Sequence, residues 1–577
     1  MRRSGHFPWI GPLLVLAVTY PAAADPGVAL QRLWRHDAGG LGRAEIVAFD
    51  AAANELLVVN GTERCVMRLD ARSGREVDRL DVSSFGDPTS VAASHGLIAV
   101  AVVAPQKTDP GHIVLFRSAS GARDVRPPAS PLAAVEVGAL PDMVTFTPDG
   151  RYVLTALEGE PSDDYAVDPP GGIGVIDVSR GAEHATARIA DFARFNAVCD
   201  SLESQGVRIS GPSKSAADGR ATVAEDLEPE YIATAPDGLT AWATLQENNA
   251  IAVVDVPTAQ VKEIIGLDLK DHAQIGRGLD ASDRDGGIHI RPRSVWGMYQ
   301  PDAVAAVSID GVPYLVTANE GDSRSYGGFT DEVRVEDLKL DPSLHVDEDL
   351  KRFKVSSVGG DTDGDGDVDR LLAFGARSLA IWTADGRLVY DSGDALERFI
   401  AERMPERFNI DSDGKGTVDD RSDDKGPEPE GVVVGRVGKS TYAFVGLERT
   451  SAIAVFDVTH PRSAKLLDIV PLPLEKGPTG GPDIAPEGLC FVPAERSPFG
   501  APLLAVACEV TGTTTLFRVD SVADRRDIIE CECHASANNH PRRGRYRQQP
   551  HQAGPLRARL RGAWPAGAGR DHRAAAH

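Results

Sequence analysis

The 577-residue chain is short of cysteine, aromatic residues and positive charge, and each shortage excludes something. Six cysteines in so long a chain cannot make a disulfide framework, and none stands in the CxxC spacing of a zinc site. Cys490 and Cys508 flank one predicted hairpin, where they either pair or stay as two buried thiols. Lys and Arg number 61 against 85 Asp and Glu, a formal net charge of -24. That balance argues against nucleic acid, whose phosphates need basic surfaces, and favours divalent cations as partners. No apolar run reaches the roughly 20 residues of a membrane helix, so no transmembrane span is expected in the mature chain. The GxSxG elbow, HExxH, the Walker loop and the Gly-rich dinucleotide turn are missing as well.

The two ends differ from the rest. Residues 1–24 open with Arg2 and Arg3, continue through an apolar stretch at 12–18 and end in three alanines, the layout of a secretory signal. The mature chain is then expected to start near Asp25 and to be exported, to the periplasm, the cell surface or the medium. An uncleaved anchor and a buried N-terminal helix are the rival readings. From about Arg525 the text turns to Arg, His, Pro, Gln, Gly and Ala without strand alternation. Residues 525–577 are either a basic low-complexity tail or an out-of-frame continuation, so Cys531 and Cys533 carry no weight. One folded domain is expected over residues 25–524.

Internal repeats organise that domain. PEGVVVGRVGKSTYAFVGLERTSAIAVFDV, from Pro429, reads as an acid-tipped turn, an apolar strand, a Gly turn, a strand ending in Glu, and a third strand ending in Asp-Val. Related segments start at Pro141, Pro229, Pro301 and Pro486, and weaker copies at Ala44 and Asp87, a total of seven. Short alternating strands, Asp-Gly or Asn-type turns and this repeat length predict an all-β fold, a seven-bladed β-propeller, over a solenoid or sandwich. The last strand, near 513–519, is expected to lie beside a strand near 30–35 and close the ring. The longest spacing falls in the fifth blade and predicts an insertion at about 327–426. It holds a charged stretch (332–354), an Asp-rich loop, a strand pair FGARSLAIWTADGRLVYDSG, a helix-like ALERFIAERMP and a second Asp-rich loop.

The repeats keep acids at a nearly fixed interval: Asp142 with Glu158, Glu230 with Glu247, Asp302 with Glu320, Glu430 with Glu448, and Glu487 with Glu509. An outgoing strand and its antiparallel return bring start and end together, so all ten are expected on one face around the channel mouth. Crowded carboxylates raise one another's pKa and call for a cation or an Arg, and Arg324 and Arg449 are placed to help. The plainer reading is a structural latch, each acid bonded to a neighbouring turn. DTDGDGDVD at 361–369 sets Asp361, Asp363 and Asp365 at alternating positions with Gly366 at the sharp turn, and Asp367 and Asp369 follow. This is an EF-hand-like calcium loop whose twelfth position is Leu372 and not an acid. The second loop offers Asp411 and Asp413 but Lys415 at the third place. In GDSRSY, Ser323 lies between Asp322 and Arg324, the minimum for a phosphate-seeking nucleophile near metal, or it caps a turn. His289 is a lone histidine, a ligand or a structural ring.

The motifs GMYQPDA (297–303), TANEGDSR (317–324), FGARSLAIW (374–382) and RSDDKGPEPEGV (421–432) together resemble the choice-of-anchor I family of exported propellers. That family is often labelled alkaline-phosphatase-like and includes the mesenchyme-specific cell-surface glycoproteins of biomineralising animals. The resemblance runs from about residue 30 to 519. It implies a calcium-rich propeller, secreted or on a surface. LLVVNGTERCVMRLDARSGREVDRLDV also looks like the YVTN-type repeats of surface-layer propellers, which supports blades and not chemistry. Two functions follow as expectations: a metal-dependent phosphomonoesterase in which the ring acids hold calcium or another divalent ion and Arg324 or Arg449 holds phosphate, or a non-enzymatic, calcium-stabilised binding protein for ions, surface glycans or proteins. A lactone- or sugar-directed propeller enzyme is a third, lesser reading.

Overall fold

Short apolar runs closed by Asp, Asn or Gly turns make strands that pair with the next strand along the chain. The computed structural model describes residues 27–118, 129–214, 216–217, 219–411, 416–476 and 481–521. The expected signal segment, the C-terminal tail with Cys531 and Cys533, and Asp413 and Lys415 lie outside the described residues. Among those described are seven four-stranded antiparallel sheets. Their first strands are Val47–Asp50, Asp87–Ser94, Pro141–Phe146, Pro229–Thr234, Val304–Ile309, Pro429–Val437 and Pro486–Val492. Each first strand packs on the first strand of the next sheet, and the seventh packs on the first. The sheets therefore stand around one axis, and the architecture is a β-propeller.

Closure follows the expected pairing. Val28–Asp37 runs antiparallel to Thr513–Ser521, with Leu30 opposite Val519 and Arg35 opposite Thr515, so the N-terminal strand is the outermost of the seventh sheet. Backbone hydrogen bonds thus tie the two ends of the domain together, and the first and last sheets cannot part without breaking a ladder. The middle strands are buried on both faces and read as unbroken apolar runs; every residue of Tyr152–Leu157 is buried. Between the third and fourth sheets Leu154, Ile173 and Val175 share one cluster with Ala241, Ala243 and Val254. Each fully buried Leu, Ile or Val in such a layer is worth about 1.5–3 kcal/mol.

The long fifth repeat departs from the expected boundaries. Ser378–Thr383 and Leu388–Asp391, the strand pair assigned to the insertion, are instead the third and fourth strands of the fifth sheet, for Ser378–Thr383 pairs with Val312–Asn319. The extra chain is therefore split, 320–377 between the second and third strands and 392–428 after the fourth. A helix at Ala395–Arg403 follows the outer strand and buries Leu396 and Ile400. Arg377, 3% exposed, fastens both pieces: its guanidinium donates to Glu397 Oε1 at 2.6 Å, to the Asp280 carbonyl at 2.8 Å and to the Ser422 carbonyl at 2.9 Å.

Cys65, Cys199, Cys490 and Cys508 are free thiols. Cys490 and Cys508 do not pair: on adjacent strands Cys490 faces Ala505 and Cys508 faces Pro486, too far along the ladder for one bridge. Among the described residues no helix is long and apolar enough to cross a membrane.

Candidate functional site

The opening acids owe their position to a repeated backbone device. Antiparallel register slips between Pro141 and Val144, Pro229 and Ile232, Pro429 and Val432, and Pro486 and Leu489. Each slip is a β-bulge, which bends the strand and re-aims the extra side chain. The residues at these bulges include Asp142, Glu230, Glu430 and Glu487. Before four of the five prolines the chain is left-handed without a glycine: Leu140 (φ 48°), Gln300 (φ 39°), Glu428 (φ 48°) and Ala485 (φ 60°). Non-glycine residues rarely adopt that conformation, and it costs about 1–3 kcal/mol each, so the fold must hold it in place.

The closing acids are fixed to the same feature. Glu158, Glu448 and Glu509 donate their backbone N–H groups to the carbonyls of Leu140, Glu428 and Ala485, at 3.0 Å in each case. This explains the constant interval read in the sequence: the residue after the second strand bonds the left-handed residue that begins the first.

A channel of about 500 Å³ follows the axis, lined by the first strands of all seven sheets. Asp142, Asp302 and Glu487 also line a second cavity of about 420 Å³ with Glu158, Glu160, Glu230, Glu247, Glu320, Asp322 and Glu430, beside Gln246, Ser323, Ser325 and Tyr326. Ten carboxyl groups line it, and two lysines meet it from the edge, Lys107 at Glu160 and Lys425 at Glu320 and Asp322. The expected convergence is thus observed for eight of the ten paired acids. Glu448 stands just behind, in a group with Glu320 and Glu428 whose oxygens lie within 4.8 Å of one another. Glu509 is half-buried and raised by burial, close enough to Glu45 and Glu487 to push both upward.

Burial is the main cause of the shifts, and neighbouring carboxylates add to it. Asp142 is pushed up to about 6 and Glu247 to about 7, while Glu448 reaches about 8. Glu158, Glu230, Asp302, Glu430 and Glu487 rise well above the carboxylate range. Buried Glu247 Oε2, Glu430 Oε2 and Glu487 Oε2 have no hydrogen-bond partner. The latch reading fails for these oxygens, since a latched carboxylate would accept bonds from turn N–H groups. Asp302, Glu320 and Glu430 bring carboxylate oxygens within 4.8 Å of one another. Oxygen donors crowded in this way, three of them unsatisfied and ten carboxyl groups set against Lys107 and Lys425, fit a hard divalent cation.

Glu160 in the cavity was missed in the sequence, and so were the residues that complete the face. Glu45 occupies the opening position of the first sheet and is pushed up to about 7 by burial, Glu509 and Asp142; Ala44 in place of Pro hid it. Glu428 is fully buried. Burial raises it, but Lys425, Arg421 and Arg449 outweigh that and hold it down at about 2. Arg421 and Arg449 reach its carboxylate at 2.8 Å each. Lys425 Nζ lies 3.4 Å from Glu320 and 3.1 Å from Asp322.

The two arginines assigned to phosphate fare differently. Arg324 is 2% exposed and points away from the cavity, donating to Glu228 at 3.0 Å, Ser210 Oγ at 2.8 Å and the Asp226 carbonyl at 2.7 Å. Its guanidinium is thus bonded to the 192–228 connection, which it anchors. Arg449 stays at the rim, beside Glu428, Glu448 at 3.3 Å and Asp411 at 3.2 Å. Ser323 does line the cavity, beside carboxyl groups and, among the described residues, no histidine. His289 lies elsewhere, 2.9 Å from Asp285.

The Asp-rich loop lies apart from the axial cavity. Asp361, Asp363 and Asp365 are exposed and form their own close group. Gly364 (φ 83°) and Gly366 (φ 89°) give the sharp turn. Asp361 accepts from the N–H groups of Gly364 at 2.7 Å and Gly366 at 2.9 Å.

The Choice-of-anchor I domain model matches residues 45–461. The chain belongs to the choice-of-anchor I family. It is similar to Gigasin-3a of Magallana gigas, 31% identical over 192 residues, which are 31% of this chain and 67% of that protein. It is also similar to the Mesenchyme-specific cell surface glycoprotein of Strongylocentrotus purpuratus, 28% identical over 321 residues, 48% of this chain but only 41% of that protein. Among solved structures, Kuenenia stuttgartiensis hydrazine synthase aligns at 14% identity and TM-score 0.43, covering 83% of this chain and 96% of that one. The WD40 domain of Toxoplasma gondii coronin aligns at 8% identity and TM-score 0.42, covering 85% and 87%.

The four motifs that resemble the choice-of-anchor I family meet at the cavity. GMYQPDA supplies Asp302 and Gln300, whose side chain donates to the Asp322 carbonyl at 2.8 Å and accepts from the Gly375 N–H at 3.1 Å. TANEGDSR supplies Glu320 and Asp322, RSDDKGPEPEGV supplies Lys425, Glu428 and Glu430, and FGARSLAIW supplies Gly375. A Cβ on Gly375 (φ 72°) would stand 1.9 Å from the Glu320 carbonyl oxygen, and one on Gly321 (φ 88°) 2.0 Å from the Gly375 nitrogen. Only two glycines let these strands' ends approach so closely.

Proposed function

We propose that the protein is an exported, calcium-binding, seven-bladed β-propeller that acts as a binding protein at or outside the cell surface, with divalent cations held by its acid-lined mouth. Each four-stranded sheet is one blade in this reading. The observation that carries it is the Asp302–Glu320–Glu430 group, whose oxygens lie within 4.8 Å of one another in a cavity lined by ten carboxyl groups, three of them with an orphaned buried oxygen. Asp142, Glu158, Glu230, Glu247 and Glu487 would complete the oxygen set. Calcium supplies the positive charge the site lacks, and the exposed trio Asp361, Asp363 and Asp365 is a second, separate calcium loop. The surface location is supported by the secretory layout of residues 1–24 and by the cell-surface name of one relative.

Phosphomonoester hydrolysis is the second reading, favoured by one observation: Ser323 and Asp322 line the same cavity as the cation-holding acids. A bound cation would polarise a phosphoryl oxygen there, and Arg449 at the rim would meet phosphate in exchange for its carboxylate partners Asp411, Glu428 and Glu448. The buried state of Arg324 weighs against it.

One experiment separates the two: metal analysis and thermal unfolding of the mature protein with calcium or chelator, alongside hydrolysis of a chromogenic phosphomonoester. A calcium-dependent rise in Tm without turnover is the expected result; a site at about 100 times its Kd adds about 2.7 kcal/mol. An unchanged melting curve after chelation overturns the cation reading. Turnover that a Glu320→Gln, Glu430→Gln double variant abolishes would replace the binding protein with the hydrolase.

A further inference from the structure

The 320–377 insertion holds a second set of carboxylates that the calcium loop does not account for. Asp341, Asp367 and Asp369 bring carboxylate oxygens within 4.8 Å of one another, as a group distinct from Asp361, Asp363 and Asp365. Asp341 comes from a separate segment. Leu340 bridges Val368 in parallel, the Asp341 N–H donates to the Val368 carbonyl at 3.0 Å, and the Val368 N–H returns to the Lys339 carbonyl at 2.8 Å. Backbone pairing therefore sets Asp341 beside the end of the loop.

A second observation points to a ligand. Asp367 is only 8% exposed, and its buried Oδ1 has no hydrogen-bond partner, while Lys339 meets its other oxygen at 3.4 Å. A buried carboxylate oxygen without a donor is costly and calls for one. Asp369 is held in place by Thr362, whose N–H and hydroxyl both donate to its Oδ2 at 2.7 Å. The donors are all oxygens, with no imidazole or thiolate, which selects calcium or magnesium over zinc or copper. Leu372, at the loop's twelfth position, is buried in a strand, so the loop cannot close its own ligand set.

We propose that Asp341, Asp367 and Asp369 hold a second calcium beside the loop ion, and that this ion fastens the 339–341 segment to the loop. The inference rests on the reading of this protein as a calcium binder but not on the axial cavity.

The test is calorimetric titration of calcium into metal-stripped, full-length mature protein, with a metal count after dialysis, for the wild type, Asp341→Asn, Asp367→Asn and the Glu320→Gln, Glu430→Gln double variant. Asp341→Asn is expected to bind one calcium fewer, or one site roughly tenfold or more weaker, while keeping the ions that the double variant loses. Asp367→Asn is expected to lose the same ion, which covers the case of a misfolded Asp341→Asn chain. Equal stoichiometry and affinities in both single variants and wild type overturn the proposal. If every wild-type ion disappears in the double variant, the proposal falls and the axial reading stands.

Discussion

The axial ring and the Asp-rich loop concentrate carboxylates in opposite ways. Ring acids come from sheets far apart in sequence and are buried, held by bulges and left-handed residues, and pushed well above their usual pKa. Loop acids come from nine consecutive residues, and the trio Asp361, Asp363 and Asp365 is exposed, held by the loop's own N–H groups. Water and local N–H groups keep the loop charges tolerable without a partner. The ring is buried and has Lys107 and Lys425 against ten carboxyl groups, so much of its repulsion is stored by the fold and released by protons or a cation. A site assembled by a whole fold can be poised against its own charge; one assembled by a short loop cannot.

The sharpest way to break this comparison is to remove the charge that already has partners. Glu428→Ala leaves Lys425, Arg421 and Arg449 without their shared carboxylate, and breaking a buried pair of this kind costs about 3–5 kcal/mol. Urea unfolding measures it. A loss below about 1 kcal/mol would mean that the strands' ends are not held by this network.

The next effect is smaller and changes sign with calcium. Acids raised by the fold bind protons more tightly folded than unfolded, so their contribution is fully present below about pH 4 and is lost as pH rises through their folded values. Those values are about 6 for Asp142, about 7 for Glu247 and about 8 for Glu448. In chelator the Tm is therefore expected to fall between pH 5 and 8, and calcium is expected to restore it most at pH 8. Glu430→Gln removes one repelling charge: it is expected to raise the Tm in chelator at pH 8 and to lower it in calcium. The same sign under both conditions would show that the ring carries no cation.

How much of this was legible depends on whether a role is set by the local chain. The propeller, its closure by residues near 30–35 and the Pro-acid repeats could be read because alternation and turn chemistry are local signals repeated along the chain. Arg324 could not, because its partners Glu228 and Asp226 lie in a connection with no repeat pattern, and nothing in GDSRSY tells which way the guanidinium turns. Glu428 was passed over inside RSDDKGPEPEGV because the repeat was read from Pro429, although its position before Pro429 matches Leu140 before Pro141. The strand pair 378–391 was counted as insertion because inserted chain separates it from its sheet, and Asp341 was lost in a charged stretch whose meaning comes from a bridge to Val368.

The mildest test addresses the loop. Asp363→Asn alters an exposed residue whose carboxylate accepts the Asp365 N–H at 3.2 Å within the loop, so in chelator its unfolding curve is expected to match the wild type. In calcium it is expected to bind one ion fewer and to be cut faster by protease within 361–369, because an ion that ties Asp361, Asp363 and Asp365 together suppresses local opening. Global stability would barely respond, since local opening and global unfolding are separate transitions. A large fall in Tm from Asp363→Asn in calcium would place the loop ion in the same cooperative unit as the ring and erase the distinction between them.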